Sequence, residues 1–147
     1  MRGSGEVENV MYELIDNFLD EEELESLDSV LLSKEFPWFL NPQIDKESSY
    51  YVGRLQQQFS HTVYAKDYRK SDWLPDFNCL LNRMNIFTLL RIKVNYLPQT
   101  EKRVTHDFHV DIEGSNVPKN INTSIFYVNT NNGVTIFEDT KEEVESV

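Results

Sequence analysis

At Thr88 the spacing of apolar residues changes from helical to strand-like, and that change decides most of what the chain can fold into. Between Leu90 and Leu97 apolar and polar residues alternate, which places Ile92, Val94 and Tyr96 on one face of a half-buried strand. Pro98 ends the run. Residues 104–112 read as the next strand, 123–128 as a third and 134–137 as a fourth. Between them lie loop signals, Gly114-Ser115-Asn116 and Pro118-Lys119-Asn120, and then Asn129-Thr130-Asn131-Asn132-Gly133, a turn that tolerates positive φ. Short alternating strands joined by turns bury only one face each, so they need a second layer. This half of the chain predicts an antiparallel sandwich or barrel.

The first half has a different rhythm. Residues 7–19 predict a short strand running into a turn. Asp20 then sits where it can cap a helix whose first turn holds Glu21, Glu22 and Glu23, favourable at the positive end of the helix dipole. Leu24, Leu27, Val30 and Leu31 follow at helical spacing. Phe36-Pro37-Trp38-Phe39 breaks that helix. Residues 49–64 predict one or two strands. Trp73, Phe77, Leu80, Leu81 and Met84 predict an amphipathic helix over 75–86, with Pro75 in its first turn. No internal repeat and no linker interrupts the chain. The fold class is therefore α+β, mainly β.

A chain of 147 residues suits one domain with a real core, here 6–147, once the leader-like Met1-Arg2-Gly3-Ser4-Gly5 is set aside. Its apolar fraction of 39% predicts a folded protein. The net charge of −11 argues against nucleic acid and anionic membranes as partners. The acidic runs Asp20–Glu25 and Glu138–Glu145 read as a solvated face or fraying end. Cys79 is the only cysteine, so no internal disulfide can form, and a reducing, cytoplasmic setting is expected. No apolar stretch reaches the eighteen residues of a membrane span, and the N-terminus lacks the apolar run of a signal peptide.

The chemistry-bearing residues concentrate in Val104–Glu113. Side chains two apart on a strand share a face, so His109 and Asp111 are expected to project together, with Val110 turned into apolar packing. An imidazole and a carboxylate side by side are two ligands for a first-row divalent metal. They are two thirds of the 2-His-1-carboxylate set that leaves open positions on Fe(II). His61, in an aromatic strand, is expected to be a packed or surface residue, and His106 a surface one.

Four motifs in order resemble a known family: Arg91-Ile92-Lys93-Val94-Asn95-Tyr96-Leu97-Pro98, then His109-x-Asp111, then Phe126-Tyr127-Val128-Asn129, then Gly133-x-Thr135-x-Phe137. They look like the prolyl-4-hydroxylase-like Fe(II)/2-oxoglutarate dioxygenases, closest to the small forms of marine phages and metagenomes. Ile15-Asp16-Asn17-Phe18-Leu19 and the acidic helix after it also suit that family. The resemblance implies a double-stranded β-helix (a jelly roll) with helices packed on one sheet. It implies a hydroxylase of a protein or small-molecule substrate, with Fe(II) on His109 and Asp111 and 2-oxoglutarate as co-substrate. Tyr127 is implied to bond the distal carboxylate of 2-oxoglutarate, and Tyr96 to line the same pocket. Gly133, Thr135 and Phe137 read as turn and packing residues. The chain departs from the family pattern after Asp111, where no further His and no Arg follow. It is thus expected to be a fragment lacking the C-terminal strands, inactive alone, with unpaired strand edges that favour self-association. A non-catalytic jelly-roll binding module without iron is the alternative.

Overall fold

The computed structural model describes residues 12–42, 57–66, 69–112, 118 and 120–145. Its first element is the expected helix, α1 (Glu21–Leu31), and the start follows from Asp20. The Asp20 carboxylate accepts the Glu23 amide at 2.9 Å, and the Glu23 carboxylate accepts the Asp20 amide at 3.2 Å. This reciprocal capping box satisfies two amides that the first turn leaves without helical partners. Arg83, far along the chain, donates to Asp20 at 3.0 Å and to Glu23, tying the cap to the second helix. Leu27 and Leu31 are buried, and Leu24 and Val30 pack beside them. Just beyond the helix end the Trp38 indole donates to the Leu31 carbonyl at 3.1 Å.

The strands β1 (Phe39–Asn41), β2 (Gln58–Ala65), β3 (Arg69–Lys70) and β4 (Arg91–Tyr96) form one antiparallel sheet. β2 is its spine. Phe59 pairs with Leu40 on one edge and with Tyr96 on the other, and Tyr64 pairs with Lys70 and with Ile92. β1 and β3 therefore share one edge of β2, and β4 runs along the whole of the opposite edge. A bulge between Thr62 and Tyr64 shifts the β2–β4 register. Val63, inside it, is completely buried. The core is built from Leu19, Leu27, Leu31, Phe36, Val63 and Phe77, with Ile92, Val94, Phe126 and Val128 packed against it. After the sheet, β5 (Val134–Ile136) and β6 (Glu143–Glu145) form a separate two-stranded ribbon. Its turn closes through Lys141, whose φ of 61° is left-handed, and Tyr12 stacks on Phe137 at 4.6 Å.

The architecture is α+β with small, open antiparallel sheets. Several elements differ from expectation. Residues 12–19 hold no strand; Asp16 and Asn17 form a turn with Asn17 at φ 52°. The rest of the segment expected there, and residues 49–56 of the next, lie outside the described residues. The helix expected over 75–86 begins as a single tight turn, Leu74–Phe77, and becomes α2 only over Asn78–Arg83. Residues 104–112 and 123–128 are not strands. A strand exists through hydrogen bonds to a neighbour, and no strand pairs with either segment among the described residues. Val110 is exposed, not packed as expected, and so is Ile125. The acidic side chains of 138–145 are exposed, as a solvated face requires, but the run also holds β6, with Val144 half-buried between exposed Glu143 and Glu145. No helix among the described residues is long and apolar enough to cross a membrane.

Candidate metal centre

β4 sorts its side chains by alternation. Ile92 and Val94 pack on the core that α1 covers, so Arg91 and Lys93 stand on the other face. Across the ladder that face continues into Ala65, opposite Arg91, and Thr62, opposite Lys93. The Arg91 guanidinium reaches from it to the Asp111 carboxylate, Nη2 to Oδ1 at 2.9 Å. One carboxylate oxygen of Asp111 is thereby held, which orients a potential ligand in the way an outer-shell partner does. Lys93 is half-buried beside this pair. Burial above all, and then repulsion from Arg91, lowers its ammonium below the ordinary lysine range, while Asp111 acts in the opposite sense.

His109 is exposed, with its Nδ1 3.2 Å from the Asp107 carbonyl. A carbonyl only accepts, so Nδ1 carries the proton and Nε2 is left as the lone-pair nitrogen that a metal would use. The segment 103–111 is anchored from both sides. Arg103 donates to the Asn132 carbonyl at 3.0 and 2.8 Å, the Lys141 ammonium sits 4.5 Å above the Phe108 ring, and Asp111 is tied to β4. It therefore bridges the ribbon and the sheet without pairing with either. His106, expected on the surface, is half-buried, and its Nδ1 is a buried nitrogen without a hydrogen-bond partner among the described residues.

Neither of the two tyrosines implied by the resemblance is hydrogen-bonded to His109, Asp111 or Arg91 among the described residues. The Tyr127 hydroxyl is hydrogen-bonded to Thr135 of β5 and is half-buried. Tyr96 shares the face of Ile92 and Val94 and lies against Trp38 at 5.8 Å and Phe59 at 6.2 Å. It is 49% exposed, on the opposite side of β4 from the guanidinium that holds Asp111.

His61 is a packed residue, as expected. Its Nδ1–H donates to the Pro37 carbonyl at 2.8 Å, and its Nε2 accepts the Ser71 hydroxyl at 2.9 Å. Phe36 and Phe39 flank the ring at 5.0 and 5.7 Å. Both nitrogens are engaged, so this ring is a structural clamp and not a ligand. Cys79 is half-buried, and burial pushes its thiol up, which leaves it protonated and unreactive at neutral pH.

His109 and Asp111 have the donor chemistry that Fe(II) takes. They do not complete a site, because among the described residues no three His, Cys, Asp or Glu side chains are placed to hold a metal together. Reading the sequence overlooked Arg91 and Lys93. The signal was present: two cations at i and i+2 share the polar side of a strand whose other side is apolar. No family model, curated protein or solved structure matches the chain.

Proposed function

We propose that this chain is an Fe(II)/2-oxoglutarate-dependent dioxygenase of the prolyl-4-hydroxylase-like kind. His109 and Asp111 are two of its metal ligands, and a jelly roll is its architecture. The observation that carries the reading is the salt bridge from Arg91 to Asp111. It joins the first of the four motifs to the second and leaves Asp111 Oδ2 and His109 Nε2 without a hydrogen-bond partner among the described residues. When bound, iron with 2-oxoglutarate supplies the oxidation that hydroxylates an unactivated carbon. This chain's part is to present one imidazole and one carboxylate and to orient the carboxylate. The substrate is a protein or small-molecule side chain. The single cysteine supports a reducing compartment such as the cytoplasm.

Titration with Mn(II), a redox-silent substitute for Fe(II), tests the metal assignment. Weak binding by the chain that is lost in both His109→Ala and Asp111→Ala is the expected result. Binding that is unchanged in both variants overturns it. Succinate release from 2-oxoglutarate in the presence of Fe(II) is expected to be negligible for this chain alone. The second reading, a binding module without iron, is favoured by the lack of a third donor beside His109 and Asp111 among the described residues. Absence of any Mn(II) binding selects it.

A further inference from the structure

A nucleophile and a base meet away from the candidate metal centre. The Ser71 hydroxyl donates to His61 Nε2 at 2.9 Å, and His61 Nδ1–H donates to the Pro37 carbonyl at 2.8 Å. A hydroxyl within about 2.6–3.2 Å of a base that a third group orients is the arrangement that activates a serine. His61 is fixed on β2 between the rings of Phe36 and Phe39. Ser71 follows β3 and is fixed through its backbone. Its amide donates to the Val63 carbonyl at 2.8 Å, and its carbonyl accepts the Leu74 amide at 3.1 Å. The pair opens on a cleft of about 280 Å³, which Pro37, Lys70, Asp72 and Trp73 also line. Lys70 and Asp72 are exposed and cancel in charge, and Pro37 and Trp73 supply an apolar wall. The Asp72 amide, the next N–H after Ser71, has no hydrogen-bond partner among the described residues. The amide after a nucleophilic serine is a common donor to the oxyanion of acyl transfer.

We infer that His61 and Ser71 form an acyl-transfer site that hydrolyses small, uncharged carboxylic esters. Ser71 Oγ attacks the ester carbon, and its proton passes to His61 Nε2. The tetrahedral oxyanion collapses, the bond to the alcohol oxygen breaks, and the alcohol leaves with that proton. Water then attacks the acyl-serine and gives a proton to His61 Nε2. Collapse releases the carboxylic acid, and the proton returns to Ser71 Oγ. The cleft lies below the size of about 300–1,000 Å³ that larger ligands take, so a short acyl chain fits it. The group behind the imidazole is a carbonyl, which stabilises an imidazolium less than a carboxylate does, so turnover is slow. This activity is independent of iron and uses neither His109 nor Asp111.

Diisopropyl fluorophosphate, reacted with the full wild-type chain and located by peptide mass spectrometry, reads the serine directly and needs no variant to fold. One adduct, on Ser71, is expected, and p-nitrophenyl acetate is expected to slow its formation. Hydrolysis of p-nitrophenyl acetate is expected to persist in EDTA and to fall about 100-fold or more in a folded Ser71→Ala. A folded His61→Gln, whose amide can hold Ser71 but cannot take up its proton, is expected to lose the labelling. Circular dichroism establishes which variants are folded. No adduct on Ser71, or adducts spread equally over other hydroxyls, overturns the inference. So does a folded Ser71→Ala as active as wild type, or equal labelling in a folded His61→Gln. Hydrolysis abolished by EDTA overturns it as well, by assigning the reaction to a metal.

Discussion

Replacing His61 by alanine tests whether the central strand is locked to its surroundings by this ring. The substitution removes two hydrogen bonds, to the Pro37 carbonyl and the Ser71 hydroxyl, worth about 1 kcal/mol each. It also empties a site flanked by Phe36 and Phe39 at 5.0 and 5.7 Å, for a further loss of about 1–2 kcal/mol. The expected destabilisation is thus about 3–4 kcal/mol, a large share of the stability of an ordinary domain. Ser71→Ala strips His61 Nε2 of its donor and the Trp73 amide of its acceptor at 3.3 Å, at about 1–2 kcal/mol. Because both changes remove the same His61–Ser71 bond, the double variant should be less destabilised than the sum of the single ones, by about 1 kcal/mol. Urea unfolding followed by tryptophan emission suits this cycle, since Trp38 and Trp73 both meet Phe36 edge to face, at 5.0 and 5.5 Å. Additive single variants, or a loss under about 1 kcal/mol for His61→Ala, would refute the clamp. Loss of Mn(II) binding in a folded His61→Ala would refute it differently, by making the ring a ligand.

Asp20→Ala removes the capping carboxylate and one partner of Arg83, so thermal unfolding should show a loss of about 1–2 kcal/mol with reduced helical circular dichroism. Leu27, 2% exposed in the centre of the core, should lose about 2–5 kcal/mol on truncation to alanine in the same assay, the range reflecting how far the site collapses. Lys93→Met should melt above wild type at neutral pH. Burial lowers the folded-state ammonium, so the folded chain binds its proton less readily than the unfolded one. Wild-type stability should therefore rise with pH up to about the free lysine value of 10.4, and the gap to Lys93→Met should narrow over that interval. A gap that widens instead would contradict the assignment. The outer edge of β4 has no strand partner among the described residues, and self-association through it should appear as a mass that grows with concentration in light scattering.

Local interactions were readable from the residues in order. The α1 cap needs only Asp20 and Glu23, three apart, and the face of the helix needs only the spacing of Leu24, Leu27, Val30 and Leu31. The alternation through β4 also needed no partner to be seen, and it correctly grouped Ile92, Val94 and Tyr96. What it could not say was which way that group turns. The core around Leu27 and Val63 takes Ile92 and Val94, which puts Tyr96 beside Trp38 and turns Arg91 toward Asp111. The alternation in 104–112 and the run of strand-forming residues in 123–128 were equally visible, yet neither segment is a strand, because strand pairing depends on hydrogen-bond partners distant in sequence. His61 likewise reads as an unremarkable histidine until Pro37 and Ser71, 24 residues before it and 10 after it, close on its two nitrogens. Residues close along the chain determined helix start, helix face and strand period by short-range sterics and hydrogen bonds. Which face meets the core, which charge meets which, and which extended segment finds a partner were decided only when distant parts of the chain packed together.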